Sequence, residues 1–260
     1  MMSSVLFHET PTVLDVLNVA KVISGVTILF AAGRYGWTPR STVYASLHMS
    51  YLAWFMLEQY FIPPFWNRFS KEPAPVDWIT LPLIIGVLYT LPAYNVFCRK
   101  DRVIDISPFM TMVCIMMFTL GCLINTSSDV YMHAVKEAMA PQKVLITTGL
   151  HRLCQNPNWF GDYLRYTSFC LSSGKASSFI VLALVMFLNY DTTTDPELKG
   201  GMRDRYGTAY EEWVQNVPNM IVPSFNNNHV LEIVCGVILI WCASYGLGAV
   251  GRAKAKVKTD

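Results

Sequence analysis

Four long, mostly apolar stretches fill the first half of the chain: Val13 to Ala32, Thr42 to Ile62, Trp78 to Cys98 and Ile104 to Asn125. A helix needs about 20 such residues to cross the hydrocarbon core of a bilayer, so each stretch predicts a spanning helix. The first twelve residues contain no Lys or Arg, and the run behind them is long enough to span, which predicts a retained helix rather than a cleaved signal. A polar stretch then reaches Pro157. Two shorter apolar segments follow, Trp159 to Leu171 and Ser178 to Leu188, and the Ser172-Ser173-Gly174-Lys175 between them predicts a helical hairpin. Tyr190 to Asn228 is polar again, interrupted by Gly200-Gly201 and Pro218, and surrounds an amphipathic Tyr206 to Val217. A last apolar run, Val230 to Val250, ends in a basic tail. The pattern predicts an all-α, multi-pass integral membrane bundle of about six or seven membrane segments.

Composition agrees with a bilayer environment and narrows the partners. Of 260 residues, 53% are hydrophobic and 15% charged, well short of the roughly 25% charge of soluble domains. The formal net charge is +2, which gives no global field for a polyanion and excludes a nucleic-acid partner. Thirteen Tyr, fourteen Phe and seven Trp suit membrane interfaces. The seven Cys have neither CxxC nor Cys/His spacing, so they imply no disulfide framework and no metal. No GxGxxG follows a strand pattern, so any dinucleotide must be held by helices and loops.

Candidate chemistry concentrates in two polar blocks. The first runs Gly149-Leu150-His151-Arg152-Leu153-Cys154-Gln155-Asn156-Pro157-Asn158-Trp159-Phe160-Gly161-Asp162. Pro157 suits a helix start, Asn158 a cap and Gly161 a close backbone approach. Asn158, Asp162 and Tyr166 recur every four residues and share a helical face. On spacing alone this is equally an interfacial helix with a good cap. The second block holds Asp195, Glu197, Arg203, Asp204 and Arg205, then Tyr206-Gly207-Thr208-Ala209-Tyr210-Glu211-Glu212-Trp213 and Val217-Pro218-Asn219-Met220-Ile221-Val222-Pro223.

Together the two blocks resemble the carboxy-terminal region shared by membrane-embedded steroid and sterol reductases and by isoprenylcysteine-type methyltransferases, over roughly Asn125 to Phe225. The resemblance implies a C-terminal chamber for a nucleotide-containing cofactor, NADPH or S-adenosylmethionine. It divides the chain into 1–124 as N-terminal membrane helices, 125–225 as the cofactor region, and 226–260 as an extra helix and tail. Three details favour the reductase branch. Gln155-Asn156-Pro157 stands where the methyltransferases carry Arg-His-Pro. Asn158-Trp159-Phe160-Gly161-Asp162 fits the reductase pattern of Asn, aromatic, any residue, Gly and an acid. Leu120 to Asp129 looks like the steroid 5-alpha-reductase segment whose Asn and Asp, here Asn125 and Asp129, contact the dinucleotide. The cofactor-binding set implied is Asn125, Asp129, Arg152, Asn158, Trp159, Asp162 and Tyr166, with Glu197 and Tyr210 closing over it.

In the first half, Ala53-Trp54-Phe55-Met56-Leu57-Glu58 resembles the 5-alpha-reductase stretch whose Glu meets the steroid carbonyl, and Val87-Leu88-Tyr89 the stretch bearing its partner Tyr. Catalysis is accordingly assigned to Glu58 and Tyr89. Independently of any family, Glu58 is the one carboxylate of the second apolar run, and an ionisable group there is a functional candidate by default. The alternative is that it snorkels to the interface or pairs with Lys21. Arg99, Lys100 and Arg102 suit either a 2′-phosphate or a topology anchor.

The expected function is NADPH-dependent reduction of a carbon–carbon double bond in a lipid such as a steroid, a sterol or a related isoprenoid enone. The alternatives are a membrane methyltransferase using S-adenosylmethionine and a non-catalytic membrane scaffold. Lys256 and Lys258 resemble a dilysine retrieval signal, which implies the endoplasmic-reticulum membrane; on charge alone they read as a solvated basic tail beside anionic headgroups.

Overall fold

The computed structural model describes residues 10–62, 69–194 and 196–223, and for residues 188–200 the backbone alone. The last apolar run, Val230 to Val250, and the lysines at 256 and 258 lie outside the described residues. Among those described, the secondary structure is helical and there is no strand. Helix α1 spans Val13–Tyr35, α2 Pro39–Phe61, α3 Asp77–Cys98, α4 Pro108–Ala138, α5 Pro157–Ser173, α6 Phe179–Thr194, α7 Pro196–Tyr206 and α8 Thr208–Asn216. The chain divides into two compact units, one of Met1–Ile115 with Ser172–Val181, the other of Met116–Leu171 with Leu182–Asp260.

Among the described residues, three helices, α1, α3 and α4, are long and apolar enough to cross a membrane. The second expected span, Thr42 to Ile62, is a helix of 23 residues but is not among these three. Its interior carries Arg40, His48, Glu58, Gln59 and several hydroxyls, which lower its hydropathy. In α1 the polarity is inside out for a soluble helix. Asp15, Asn18, Lys21 and Ser24 are buried, while Val22, Val26, Leu29 and Phe30 face outward. That distribution is stable where the surroundings are hydrocarbon, because outward apolar residues then need no cover and polar ones need partners inside.

In the first unit, α1 and α2 each begin with a capping box. Thr12 and Asp15 exchange hydrogen bonds at the start of α1, and Thr38 and Ser41 do so at the start of α2. Thr38→Ala should therefore lower thermal stability by about 1 kcal/mol, whereas Thr42→Ala, which loses an exposed hydroxyl, should leave the melting curve in place. α3 is broken by its own sequence. Pro82 opens a wide π-helical stretch, 82–87, and Pro92, which has no amide hydrogen, precedes a second one, 94–98. Gly86 lets α1 approach: a Cβ there would lie 3.2 Å from Ile23. Asn18 and Gln59 form a reciprocal buried amide pair across α1 and α2, at 3.1 and 2.8 Å.

The Gly174 turn, φ +71°, is held in the same unit. The buried Arg40 donates to the Ser172 carbonyl at 3.1 Å and to the Asp105 carbonyl at 3.0 Å. The basic connection after α3 also makes bonds within the chain. Arg99 pairs with Asp101 at 2.7 Å, and Arg102 donates to the carbonyls of Phe97 and Tyr35 near the ends of α3 and α1.

α4 departs most from the sequence expectation. Instead of ending near Asn125 it continues to Ala138, 31 residues in all, or about 46 Å at 1.5 Å per residue, longer than a hydrocarbon core of about 30 Å. Its second half is polar, so hydropathy alone reads it as loop, yet Ala134 to Ala138 contains good helix formers that carry the helix onward.

Candidate functional site in the second unit

The polar half of α4 and the start of α5 meet through two glycines. A Cβ on Gly161 would lie 2.6 Å from the Asn125 amide nitrogen and 2.6 Å from the Gly121 carbonyl oxygen. One on Gly121 would lie 2.6 Å from the Gly161 carbonyl oxygen and 2.8 Å from the Arg165 nitrogen. The backbones therefore touch where no other residue fits. That contact brings the Asn125 amide within 2.9 Å of the Asn158 carbonyl and 3.3 Å of an Asp162 carboxylate oxygen. Asp162 also pairs with Arg165 one turn on, whose side chain is nearly fully buried. Arg165 was not among the sequence candidates, although its spacing of three from Asp162 is the signal of a helical ion pair.

The cap lies two residues earlier than expected. Pro157 opens α5, the Asn156 carbonyl receives the amides of Trp159 and Phe160, and Asn158 sits within the first turn. Gln155 and Asn156 are occupied by the second polar block. Their amides donate to the carbonyls of Asn219 and Met220, both at 2.9 Å, and their side chains to those of Val217 and Met220 at 2.9 and 3.1 Å. Trp213 of α8 donates from its indole to the His151 carbonyl at 3.1 Å. Two blocks some sixty residues apart in sequence thus form one element around the turn Gly149–Arg152. Gly149, φ +60°, rests on the Tyr131 ring, whose hydroxyl lies 2.6 Å from that of Thr148.

The other expected cofactor residues are distributed around this element. Asp129 and Tyr166 are buried, and the Tyr166 ring packs edge-on against Phe169 at 5.9 Å. Trp159 is half-buried, and so is Tyr210, whose ring lies tilted against that of Trp213 with centroids 6.0 Å apart. Arg152 is exposed. The side chain of Glu197 lies outside the described residues. Within the expected set, Asn125 bonds directly to both Asn158 and Asp162.

Three further polar groups mark the region. Ser128 Oγ, His151 Nε2 and Asn219 Nδ2 are buried and have no hydrogen-bond partner among the described residues. Each such group costs about 1–3 kcal/mol unless something pairs with it. Burial, aided by the nearby Lys136 charge, pushes the His151 imidazole below its ordinary value and so favours the neutral ring, against a hydrogen bond with the Gln155 backbone that favours the charged one. Burial pushes the Cys154 thiol up to about 12, so it is no nucleophile near neutrality. Donors and acceptors of this kind fit a ligand rich in hydroxyl, amide and phosphate groups, as a nucleotide is.

In the first unit, Glu58 is half-buried on α2, and the half-buried Tyr89 presents its ring to Lys21 Nζ at 5.5 Å. Lys21, considered from sequence only as a partner for Glu58, is itself buried there.

Residues 66–217 match the sequence model of the family described as "Protein of unknown function (DUF1295)". No curated protein matches the chain.

Proposed function

The chain belongs to the DUF1295 family, and from that premise we propose that it is a membrane-embedded, NADPH-dependent reductase of a carbon–carbon double bond in a lipid. The observation that carries this reading is the set of buried, unpartnered polar atoms, Ser128 Oγ, His151 Nε2 and Asn219 Nδ2, in the part of the chain that resembles the reductases' cofactor region. Asn125, Asp129, Asn158, Asp162 and Tyr166 would hold the dinucleotide from α4 and α5, with Trp159, Arg152, Glu197 and Tyr210 around them. Bound NADPH supplies a hydride for the electrophilic carbon of the alkene.

The chain's own contribution is to bind, orient and polarise. Glu58 in its neutral acid form and the Tyr89 phenol can each donate a hydrogen bond to a carbonyl conjugated with the alkene, stabilising the oxyanion that develops. A steroid, a sterol or a related isoprenoid enone has the required polar oxygen on an apolar body. The endoplasmic-reticulum membrane is the compartment proposed, on the Lys256 and Lys258 pattern.

The methyltransferase reading uses the same region for S-adenosylmethionine. It is disfavoured by Gln155 and Asn156, which replace the Arg-His pair and are bonded to residues 217–220. Thermal denaturation of the detergent-solubilised protein separates the two. A ligand at 100 times its Kd should stabilise the protein by about 2.7 kcal/mol. The expected result is a clear upward shift in Tm with NADPH. A shift with S-adenosylmethionine alone would overturn the reductase assignment, and no shift with either nucleotide would favour the scaffold.

A further inference from the structure

Lys21 stands eight residues into α1, about 12 Å from the start of the helix at 1.5 Å per residue. The side chain is 5% exposed in a helix long and apolar enough to span a membrane. Its ammonium donates one hydrogen bond, to the Tyr51 hydroxyl at 2.7 Å. Three aromatic rings surround it, with centroids at 4.4 Å for Tyr51, 5.2 Å for Phe55 and 5.5 Å for Tyr89. Among the described residues it makes no ion pair. An ammonium offers three donors, so two remain for a partner.

Ring faces attract a cation, more strongly when it is desolvated, but they carry no net charge. A charge taken out of water in this way is strongly unfavourable unless a counter-charge meets it. Asp15, Asn18, Lys21 and Ser24 recur every three residues as a buried polar stripe along α1, continued by Gln59 of α2. Outside the stripe the helix is apolar from Val13 to Gly33 except for Thr27. An amphiphile with a charged oxygen at one end and a hydrocarbon body is complementary to both. Because the cation is present before any reaction, its best complement is a permanent anion.

We propose that Lys21, set among Tyr51, Phe55 and Tyr89, is a binding site for the carboxylate of a fatty-acid-like lipid. The inference rests on the first unit alone and stands apart from the nucleotide reading of the second. It gives Lys21 a role different from pairing with Glu58, and it makes Tyr89 a wall of the site.

The test is equilibrium binding of oleate and of oleyl alcohol to the purified full chain in nanodiscs, with Lys21→Met and Lys21→Gln as variants. Met keeps the unbranched shape, and Gln keeps a donor for Tyr51, so folding of either one suffices. The wild type should prefer oleate to the alcohol by about 10- to 100-fold, the range of a charge-assisted hydrogen bond. Both variants should lose the preference while binding the alcohol as before. With no ligand, their Tm should equal or exceed that of the wild type, since an uncompensated charge is removed. Equal wild-type affinity for the two amphiphiles, or an oleate preference that survives in a folded variant, would overturn the proposal. A fall in Tm in both variants would do so too, by showing that the ammonium is a structural anchor of the aromatic box.

Discussion

Gly161→Ala is expected to disrupt the second unit, lowering its stability by about 3 kcal/mol or more, at or beyond the upper end of what overpacking usually does. The added methyl would stand 2.6 Å from two backbone atoms, the Asn125 nitrogen and the Gly121 oxygen, and backbone cannot swing aside as a flexible side chain can. Relief requires α4 and α5 to separate, which draws the Asn125 amide from the Asn158 carbonyl and from Asp162. Nucleotide-dependent stabilisation should disappear with it. Gly33→Ala is the control: nothing lies within 4 Å of a Cβ at that helical position, and the gain in helix propensity should add about 0.5–1 kcal/mol. Thermal melts of both variants in one detergent decide the matter. A wild-type Tm for Gly161→Ala would mean that the two helices do not cross backbone to backbone.

Asp162→Ala is the second large effect, with an expected cost of about 3 kcal/mol, near the lower end for breaking a buried ion pair because the carboxylate side chain is 23% exposed. The change deprives Arg165 of its carboxylate and Asn125 of an acceptor. From the sequence, Asp162 is a cofactor residue; in the structure it is also an internal partner, so stability and ligand binding should fall together. The double variant Asp162→Leu/Arg165→Met separates these roles. Replacing both charges by apolar side chains should restore most of the stability, since neither is left without its partner, yet nucleotide binding should stay lost. Normal binding in a stable double variant would remove Asp162 from the site and leave it a structural residue.

The legibility of this protein from sequence follows the range of the interactions. Apolar runs marked α1, α3 and α4, because crossing hydrocarbon is a local requirement that each residue of a run meets by itself. The irregularity of α3 was not anticipated: Trp78 to Cys98 reads as one regular span, although Pro82 and Pro92 stand in it and a missing amide hydrogen acts where it stands. The extension of α4 to Ala138 was not legible. A helix that leaves the bilayer turns polar at the point where hydropathy suggests a loop, and backbone hydrogen bonding continues regardless of that change.

For the candidate site, the motif blocks and the helical face of Asn158, Asp162 and Tyr166 were present in the sequence, as was the placement of Asn125 near them through the reductase resemblance. The sequence could not show that Gln155 and Asn156 would be tied to residues 217–220, or that Ser128, His151 and Asn219 would be buried with polar atoms unpartnered. It could not show either that a lysine of the first helix would be enclosed by rings from α2 and α3. Sequence by itself determined the helical class, the membrane-compatible runs and the residues able to do polar chemistry, because these depend on composition and short-range periodicity. Tertiary structure alone decided which polar groups are paired and which are left open, because that depends on contacts between segments 30 to 132 residues apart, whose geometry no local pattern encodes.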